Sequence, residues 1–111
     1  MPVRLKQLTS LALAQAHTSN DTRALVKHYL AALSAKAPGN SVEVRVPPYA
    51  AVQVVEGVRH TRGTPPAVVE MDAATWLALA TGESNWAEAV AEGRVRASGE
   101  RTDLSPYLPL G

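Results

Sequence analysis

Cysteine is absent from this chain of 111 residues, and so is phenylalanine. The lack of cysteine excludes disulfides, thiolate metal ligands and a cysteine nucleophile, and it is compatible with a cytoplasmic protein. The lack of phenylalanine leaves a core of mainly alanine, valine and leucine, in which few large side chains fill space. We therefore expect the five aromatic residues to matter for packing; they are Tyr29, Tyr49, Trp76, Trp86 and Tyr107.

A strong excess of either charge is also missing, since the chain has 11 basic and 10 acidic side chains. Proteins that bind nucleic acid usually carry a basic surplus, because neutralising phosphates provides much of their affinity. No apolar run approaches the roughly 20 residues that are needed to span a bilayer. We therefore predict a single cytoplasmic domain over residues 1–111, with no nucleic-acid partner and no integral membrane span.

A short amphipathic helix over residues 3–16 is the first predicted element, because Leu5, Leu8 and Ala12 recur with a helical period. Its apolar side leaves two alternatives open. Such a helix usually packs on its own domain or across a dimer interface, but it can also bind a membrane surface or a partner protein. Together with the next helix, it makes up a predicted helical part over residues 1–37.

A second helix is predicted to follow a polar break that begins at His17. Asn20 or Asp21 can cap this helix by accepting a hydrogen bond from a backbone amide of its first turn. Pro38 and Gly39 are expected to end it, since neither residue type favours the interior of a helix.

Three strands are predicted next. Residues 41–46 alternate between valine and charged side chains, which is typical of a half-buried strand. Pro47 and Pro48 then turn the chain, because proline cannot donate to a strand ladder, and residues 51–55 are predicted to return as the second strand of a hairpin. After a loop rich in glycine, proline and arginine, residues 67–71 form the third predicted strand.

Two short helices follow, and their ends carry recognisable capping residues. Asp72 and Asn85 are good N-caps, Gly82 is placed to end the first helix in the left-handed conformation, and Gly93 is expected to stop the second. A last strand is predicted over residues 94–98, before a proline-rich tail.

The details of that strand and tail complete the fold prediction. Val95 and Ala97 are expected to point inward. An extended tail is expected to pack on the surface through Leu104, Tyr107 and Leu108. Strands grouped before two inserted helices predict an α+β fold, with a mainly antiparallel or mixed sheet of four to five strands covered on one face by helices. The sheet and its two inserted helices are predicted to span residues 41–110.

Residues 67–99 resemble the C-terminal half of the sterol carrier protein family. The shared pattern is a strand, an acidic cap, a helix that ends in a Leu-Ala-Thr-Gly turn, a second short helix and a basic–apolar strand that ends in glycine. The longer stretch from residue 38 to residue 110 is similar to small actinobacterial proteins of that family. The matching residues are Asp72, Trp76, Leu77, Leu79, Ala80, Thr81, Gly82, Ala89, Gly93, Val95 and Gly99.

The resemblance implies a five-stranded mixed sheet with helices on one face and an apolar cavity between the two layers. It also implies a protein that binds or carries a lipid, uses no metal or cofactor and is not an enzyme. The chain departs from the family in two ways, because four strands rather than five are predicted and a proline-rich tail replaces the C-terminal helix of some members. A drug-sized ligand needs roughly 300 Å³, so a domain this small predicts an occupied cavity, a cavity shared in a dimer, or none.

Nine residues are candidates for ligand contact. Six apolar residues of the third strand and the two inserted helices could form the walls of a lipid pocket, or they could be ordinary core; they are Met71, Trp76, Leu77, Leu79, Trp86 and Val90. In the basic loop, Arg59, His60 and Arg62 carry groups that suit a carboxylate or phosphate head group. The alternative for this loop is a solvated segment without a ligand.

Catalytic and metal-binding patterns are not indicated. No two of the three histidines have metal-ligand spacing, and no serine lies in a Gly-x-Ser-x-Gly elbow. The sequence therefore favours a carrier of a lipid or other apolar small molecule. The main alternative is a structural or protein-interaction module without ligand, with a homodimer as one form of it, and a small enzyme that uses the basic loop is the least favoured hypothesis.

Overall fold

The computed structural model describes residues 5–57, 67–99 and 102–110. The predicted α+β class is confirmed, because the described residues form helices together with one mixed sheet of four strands. In chain order the elements are α1 (Ser10–Ser19), α2 (Thr22–Lys36), β1 (Val42–Val46), β2 (Ala50–Val54), β3 (Ala67–Met71), α3 (Ala73–Thr81), α4 (Trp86–Ala91), β4 (Val95–Ser98) and a 3₁₀ turn (Ser105–Tyr107).

The sheet has the strand order β2-β1-β3-β4. β1 runs antiparallel to β2 and parallel to β3, while β3 runs antiparallel to β4. Val42 at the start of β1 pairs with Val54 of β2 on one side and with Ala67 of β3 on the other. The last residue of β2 and the first residue of β3 therefore lie at the same end of the sheet, and β2 and β4 are its edge strands.

The alternation predicted for β1 is confirmed. Val42, Val44 and Val46 are fully buried, on the face of the sheet that the helices cover. Glu43 and Arg45 lie on the opposite face, where they form an ion pair. The sheet is thus apolar on the helical side and polar on the other, which is the usual arrangement when one face is solvated.

The first helix begins later than predicted, since α1 covers Ser10–Ser19 rather than residues 3–16. Thr9 is its N-cap, and the Thr9 hydroxyl accepts a hydrogen bond of 3.2 Å from the amide of Ala12. The leucines that precede Thr9 therefore lie outside the helix despite their helical period. The predicted polar break is also wrong, because the helix continues through it and ends at Asn20, which has a φ of 54°.

The second helix begins and ends as predicted. Asp21 is the N-cap of α2 and accepts a hydrogen bond of 3.1 Å from the amide of Ala24. The helix ends at Lys36, two residues before Pro38. Its buried side chains are Leu25, Val26, His28, Tyr29, Leu30, Ala31 and Leu33. This broad face makes α2 a major part of the helical layer over the sheet.

The caps predicted for α3 and α4 are confirmed. The carboxylate of Asp72 accepts from the amide of Thr75 at 2.8 Å, and the side chain of Asn85 accepts from the amide of Glu88 at 2.8 Å. Gly82 follows α3 with a φ of 88°. These bonds satisfy backbone amides that have no partner within their own helix.

The last strand and the tail differ in part from expectation. Val95 is buried as predicted, but Ala97 is exposed, because the helical layer leaves that end of the edge strand β4 uncovered. Leu104 is fully buried. The tail is not wholly extended, since Ser105–Tyr107 form a 3₁₀ turn.

Three hydrogen bonds fasten the tail to the helical layer. The Lys36 ammonium at the end of α2 donates to the carbonyls of Tyr107 at 2.9 Å and Pro109 at 3.4 Å. The amide of Leu110 donates to the carbonyl of Ala80 in α3 at 2.8 Å. The tail therefore bridges α2 and α3. Among the described residues, no helix has the length and apolarity that crossing a membrane requires.

Candidate functional site

Three of the six predicted pocket residues lie deep in the hydrophobic core. Met71, Trp76 and Leu79 are each no more than 3% exposed and pack within one core cluster. The indole N–H of Trp76 donates to the carbonyl of Val26 in α2 at 3.4 Å. A fully buried indole needs such a partner, so Trp76 also links α3 to α2.

The other three predicted pocket residues lie nearer to solvent. Leu77 and Trp86 are partly buried and pack against the core. Val90, which was predicted as a wall of the lipid pocket, is 46% exposed, whereas Ala89 is the fully buried residue of α4. Ligand contact by the six residues stays a prediction.

The predicted head-group residues Arg59, His60 and Arg62 lie outside the described residues. Their role in holding an anion therefore stays a prediction. The strands that this loop joins, β2 and β3, end and begin at the same end of β1. Both attachment points of the loop are thus at that end of the sheet.

A groove of about 1030 Å³ lies between α2, the edge strand β2 and the N-terminal segment, which we define as residues 5–9. The groove is open to solvent, and its volume matches the roughly 300–1,000 Å³ of small-molecule sites. None of the six predicted pocket residues lines it. Its apolar lining consists of Leu5, Ala31, Ala35, Pro38, Ala51 and Val52.

Small side chains create the space in this groove. Ala31, Ser34 and Ala35 lie at positions i, i+3 and i+4 of α2, so they share one face of the helix. Ala51 of β2 adds another short side chain to the lining. A large residue at any of these positions would fill the groove instead of bordering it.

Polar groups also line the groove. Glu43 and Gln53 are paired across β1 and β2 on the polar face of the sheet, and the ion pair with Arg45 compensates the charge of Glu43. Lys6 lies on the N-terminal segment and forms no ion pair within the part of the chain that the structure describes. The groove therefore combines apolar walls with the Lys6 ammonium, which can bind an anionic group.

The N-terminal wall of the groove is attached to α2 through His28. The amide of Leu8 donates to Nδ1 of His28 at 2.8 Å, which requires that Nδ1 carries no proton. Burial of the imidazole lowers the pKa of His28, and the nearby His17 lowers it further. His17 Nε2 and the hydroxyl of Tyr29 lie 2.9 Å apart, so a second hydrogen bond joins α1 to α2 beside the first.

A smaller depression of about 200 Å³ lies on the polar face of the sheet, beside Val68 and Ser98. Arg45, Glu70 and Arg96 stand in one row across β1, β3 and β4. Their charges alternate in sign, and opposite charges on neighbouring strands attract each other. This depression therefore offers little to an apolar ligand.

Three polar side chains are buried among the described residues, and hydrogen bonds account for them. His28 accepts from the N-terminal segment, the Ser41 hydroxyl donates to the carbonyl of Val55 at 2.6 Å, and Thr75 bonds to the cap residue Asp72. Within the same residues, no group of three or more histidine, aspartate or glutamate side chains is arranged to hold a metal ion. The chemistry that the groove offers is apolar contact with a few hydrogen bonds.

This groove was not predictable from large apolar side chains in the sequence, because none of the large apolar residues predicted as pocket walls lines it. The lining residues are small or polar, and they come from segments that are distant in the chain. One signal was present, since Ala31, Ser34 and Ala35 place short side chains at helical spacing on a helix whose buried residues other than Ala31 are larger. That spacing alone does not say which strand lies beside it.

Comparison with known proteins places the chain in a family. No curated protein matches it significantly. The sequence model of the family described as bacterial SCP ortholog, where SCP stands for sterol carrier protein, matches residues 18–110. That match covers most of the chain and includes the sheet, α2, α3 and α4. The protein therefore belongs to the bacterial SCP ortholog family of sterol carrier protein-like domains.

Proposed function

We propose that this protein binds or carries a lipid or other apolar small molecule, without catalysis, metal or cofactor. The groove between α2, β2 and the N-terminal segment is the observation that supports this proposal, because it combines apolar walls with sufficient volume. The family to which the chain belongs points to the same class of ligand. A cytoplasmic location suits a chain without cysteine.

A single-chain amphiphile fits the chemistry of the groove. Its chain would lie along the apolar lining at Ala35 and Val52, and its polar end would lie near Lys6. Each buried methylene contributes about 0.8 kcal/mol, so about eight of them contribute about 6 kcal/mol. Ordering the chain offsets part of this gain, and we expect dissociation constants of about 0.1–1 mM.

Filling the groove tests the proposal. In Ala35→Phe and Ala51→Phe, a ring would occupy the space of the ligand, and both positions are exposed, so the fold should tolerate the change. Ala14→Phe is the matched control, because Ala14 is exposed on α1 and does not line the groove. In titrations with a fluorescent fatty acid, we expect affinity to fall at least about tenfold in both groove variants. The affinity of the control should match that of the unaltered protein.

The same titration examines the residues predicted from the sequence. Trp86→Ala removes a partly buried ring that lies outside the groove. Weaker binding in Trp86→Ala with unchanged binding in Ala35→Phe would move the ligand to the predicted residues and refute the groove as its site. If native mass spectrometry finds no co-purifying lipid and the unaltered protein does not bind the probe, lipid carriage itself is refuted.

A second candidate is a homodimer or other protein-interaction module without ligand. Leu11 on α1 is 71% exposed, and β2 has a free edge within the described sheet. Light scattering of the purified protein would show the dimer directly. If Leu11→Glu converts a dimer into a monomer and no lipid binds either form, this second candidate replaces the first.

A further inference from the structure

The N-terminal segment forms one wall of the groove and is attached by apolar contacts with the core and by a hydrogen bond to α2. Leu5 and Leu8 pack on the core while remaining partly exposed, and Leu5 and Lys6 line the groove. Directly after the segment, Thr9 caps α1. The one hydrogen bond from the segment to α2 within the described residues runs from the amide of Leu8 to His28 Nδ1. The position of this wall therefore depends in part on a histidine.

His28 can accept this bond in only one protonation state. With Nδ1 unprotonated, the ring accepts the Leu8 amide and its own proton is on Nε2. When the ring is protonated, both nitrogens are donors, so Nδ1–H would point at the Leu8 N–H. Two donors facing each other cannot bond, and the amide would have to find water instead.

Within the described part of the chain, the elements packed around His28 offer no anion to stabilise its charged form. The ionisable groups on the packed elements are His17 on α1 and Lys6 on the N-terminal segment, while α3 and β2 carry none. Tyr29, next to it on α2, has its ring 4.9 Å away. The carboxylate of Asp21 lies seven positions earlier, roughly 10 Å along the helix axis, where it caps α2. The other ionisable side chains of α2 are Arg23, Lys27 and Lys36.

We propose that His28 is a proton-operated latch on the groove, which holds the N-terminal segment against α2 when neutral and releases it when protonated. Release would remove the wall formed by Leu5 and Lys6 and open the groove. The part of this proposal that concerns ligand rests on the proposed function. The part that concerns the segment does not.

The direction of the pH dependence follows from the two states. In the attached state, burial and His17 lower the pKa of His28. In the released state, the imidazole should approach its ordinary pKa of about 6.5. Protons therefore favour release. Attachment is complete above about pH 6.5, and it is lost as the pH falls from there through the lower pKa that His28 has in the attached state.

Amide exchange of Leu8, followed by NMR on the full chain, tests the latch without any ligand. After correction for intrinsic exchange, we expect protection to fall about 5- to 10-fold between pH 7.5 and pH 5, since one hydrogen bond is lost. His28→Asn keeps an acceptor at the place of Nδ1 but cannot titrate, so protection should not depend on pH. His17→Asn is the matched control and should keep the pH dependence.

Two results would overturn the latch: Leu8 protection that does not change with pH in the unaltered protein, or the same loss in His28→Asn. If His28→Asn does not fold, the protonation of the two ring nitrogens of His28 is measured by NMR in the unaltered protein. A protonated Nδ1 at pH 7.5 refutes the proposal. For the ligand, the release rate of a fluorescent fatty acid should rise at pH 5 in the unaltered protein and not in His28→Asn. If the probe binds but its release rate does not depend on pH, control of the groove by His28 is refuted. If the probe never binds, the proposed function is refuted, and the amide exchange of Leu8 alone decides whether the latch exists.

Discussion

Replacing Gly39 by alanine is expected to destabilise the protein far more than the same replacement at Gly93. Gly39 has a φ of 146°, and a Cβ atom there would lie 2.2 Å from the carbonyl oxygen of Val55 and 2.4 Å from the amide nitrogen of Glu56. Gly93 also has a positive φ, of 73°, but a Cβ atom there meets nothing within 4 Å. The two substitutions therefore separate backbone strain from steric overlap.

The overlap at Gly39 cannot be relieved by a small shift of its neighbour. The carbonyl of Val55 accepts from the amide of Ser41 at 3.1 Å and from its hydroxyl at 2.6 Å, and the amide of Val55 donates to Ala37 at 2.7 Å. A left-handed non-glycine residue costs about 1–2 kcal/mol, and overpacking adds about 1–3 kcal/mol. We expect losses of about 1–2 kcal/mol for Gly93→Ala and about 2–5 kcal/mol for Gly39→Ala.

Thermal unfolding followed by circular dichroism measures this difference. At about 4 °C per kcal/mol for a domain of this size, Tm should fall by about 8–20 °C in Gly39→Ala and by about 4–8 °C in Gly93→Ala. Equal losses in the two variants would show that the contact with Val55 carries no cost, and the reasoning would be refuted. Because Gly39 also borders the groove, probe binding should weaken in Gly39→Ala and not in Gly93→Ala.

Two further substitutions examine the tail and a helix cap. Leu104→Ala should lower the free energy of unfolding by about 2–5 kcal/mol in urea denaturation, because the side chain is fully buried; a loss below about 1 kcal/mol would contradict its place in the core. Asp72→Ala should cost about 1 kcal/mol, whereas Asp72→Asn should remain near the unaltered protein at pH 7, since asparagine also caps helices. Hydrogen bonds from Thr75 lower the pKa of Asp72 in the folded protein. The stability that the Asp72 carboxylate contributes is therefore present above about pH 3.9 and is lost as the pH falls through the lower pKa of the folded state. Urea titrations from pH 6 to pH 2 should show this acid-dependent loss in the unaltered protein and a smaller one in Asp72→Asn; identical slopes would contradict the role of the cap.

Features that depend on a few consecutive residues were predictable from the sequence. The alternation of β1, the N-caps Asp72 and Asn85 and the left-handed Gly82 all follow from local geometry, and the structure confirms each of them. The predicted start of α1 was wrong, because the capping hydroxyl of Thr9 outweighed the helical period of the residues on either side of it. A period shows which residues could share a face, but the cap decides where the helix begins.

Burial on the helical side of the sheet was predictable only where the helices reach. Ala97 pairs with the buried Val69 but is exposed, and Val90 is exposed on a helix whose Ala89 is buried. In both cases the strand or helix itself was predicted correctly, but the burial of the residue was not. The extent of the layer that would cover these residues is a property of packing, and no short window of sequence contains it.

The order of helices and strands, their caps and the family of the chain were present in the amino-acid sequence, because each is a matter of neighbouring residues. The groove was not, since Leu5, Ala35 and Ala51 become its walls only when the N-terminal segment, α2 and β2 meet. The same holds for His28, whose role depends on the Leu8 amide 20 residues earlier in the chain. Contacts between distant segments follow from how the layers pack, and that packing supplied both the candidate site and the group proposed to control it.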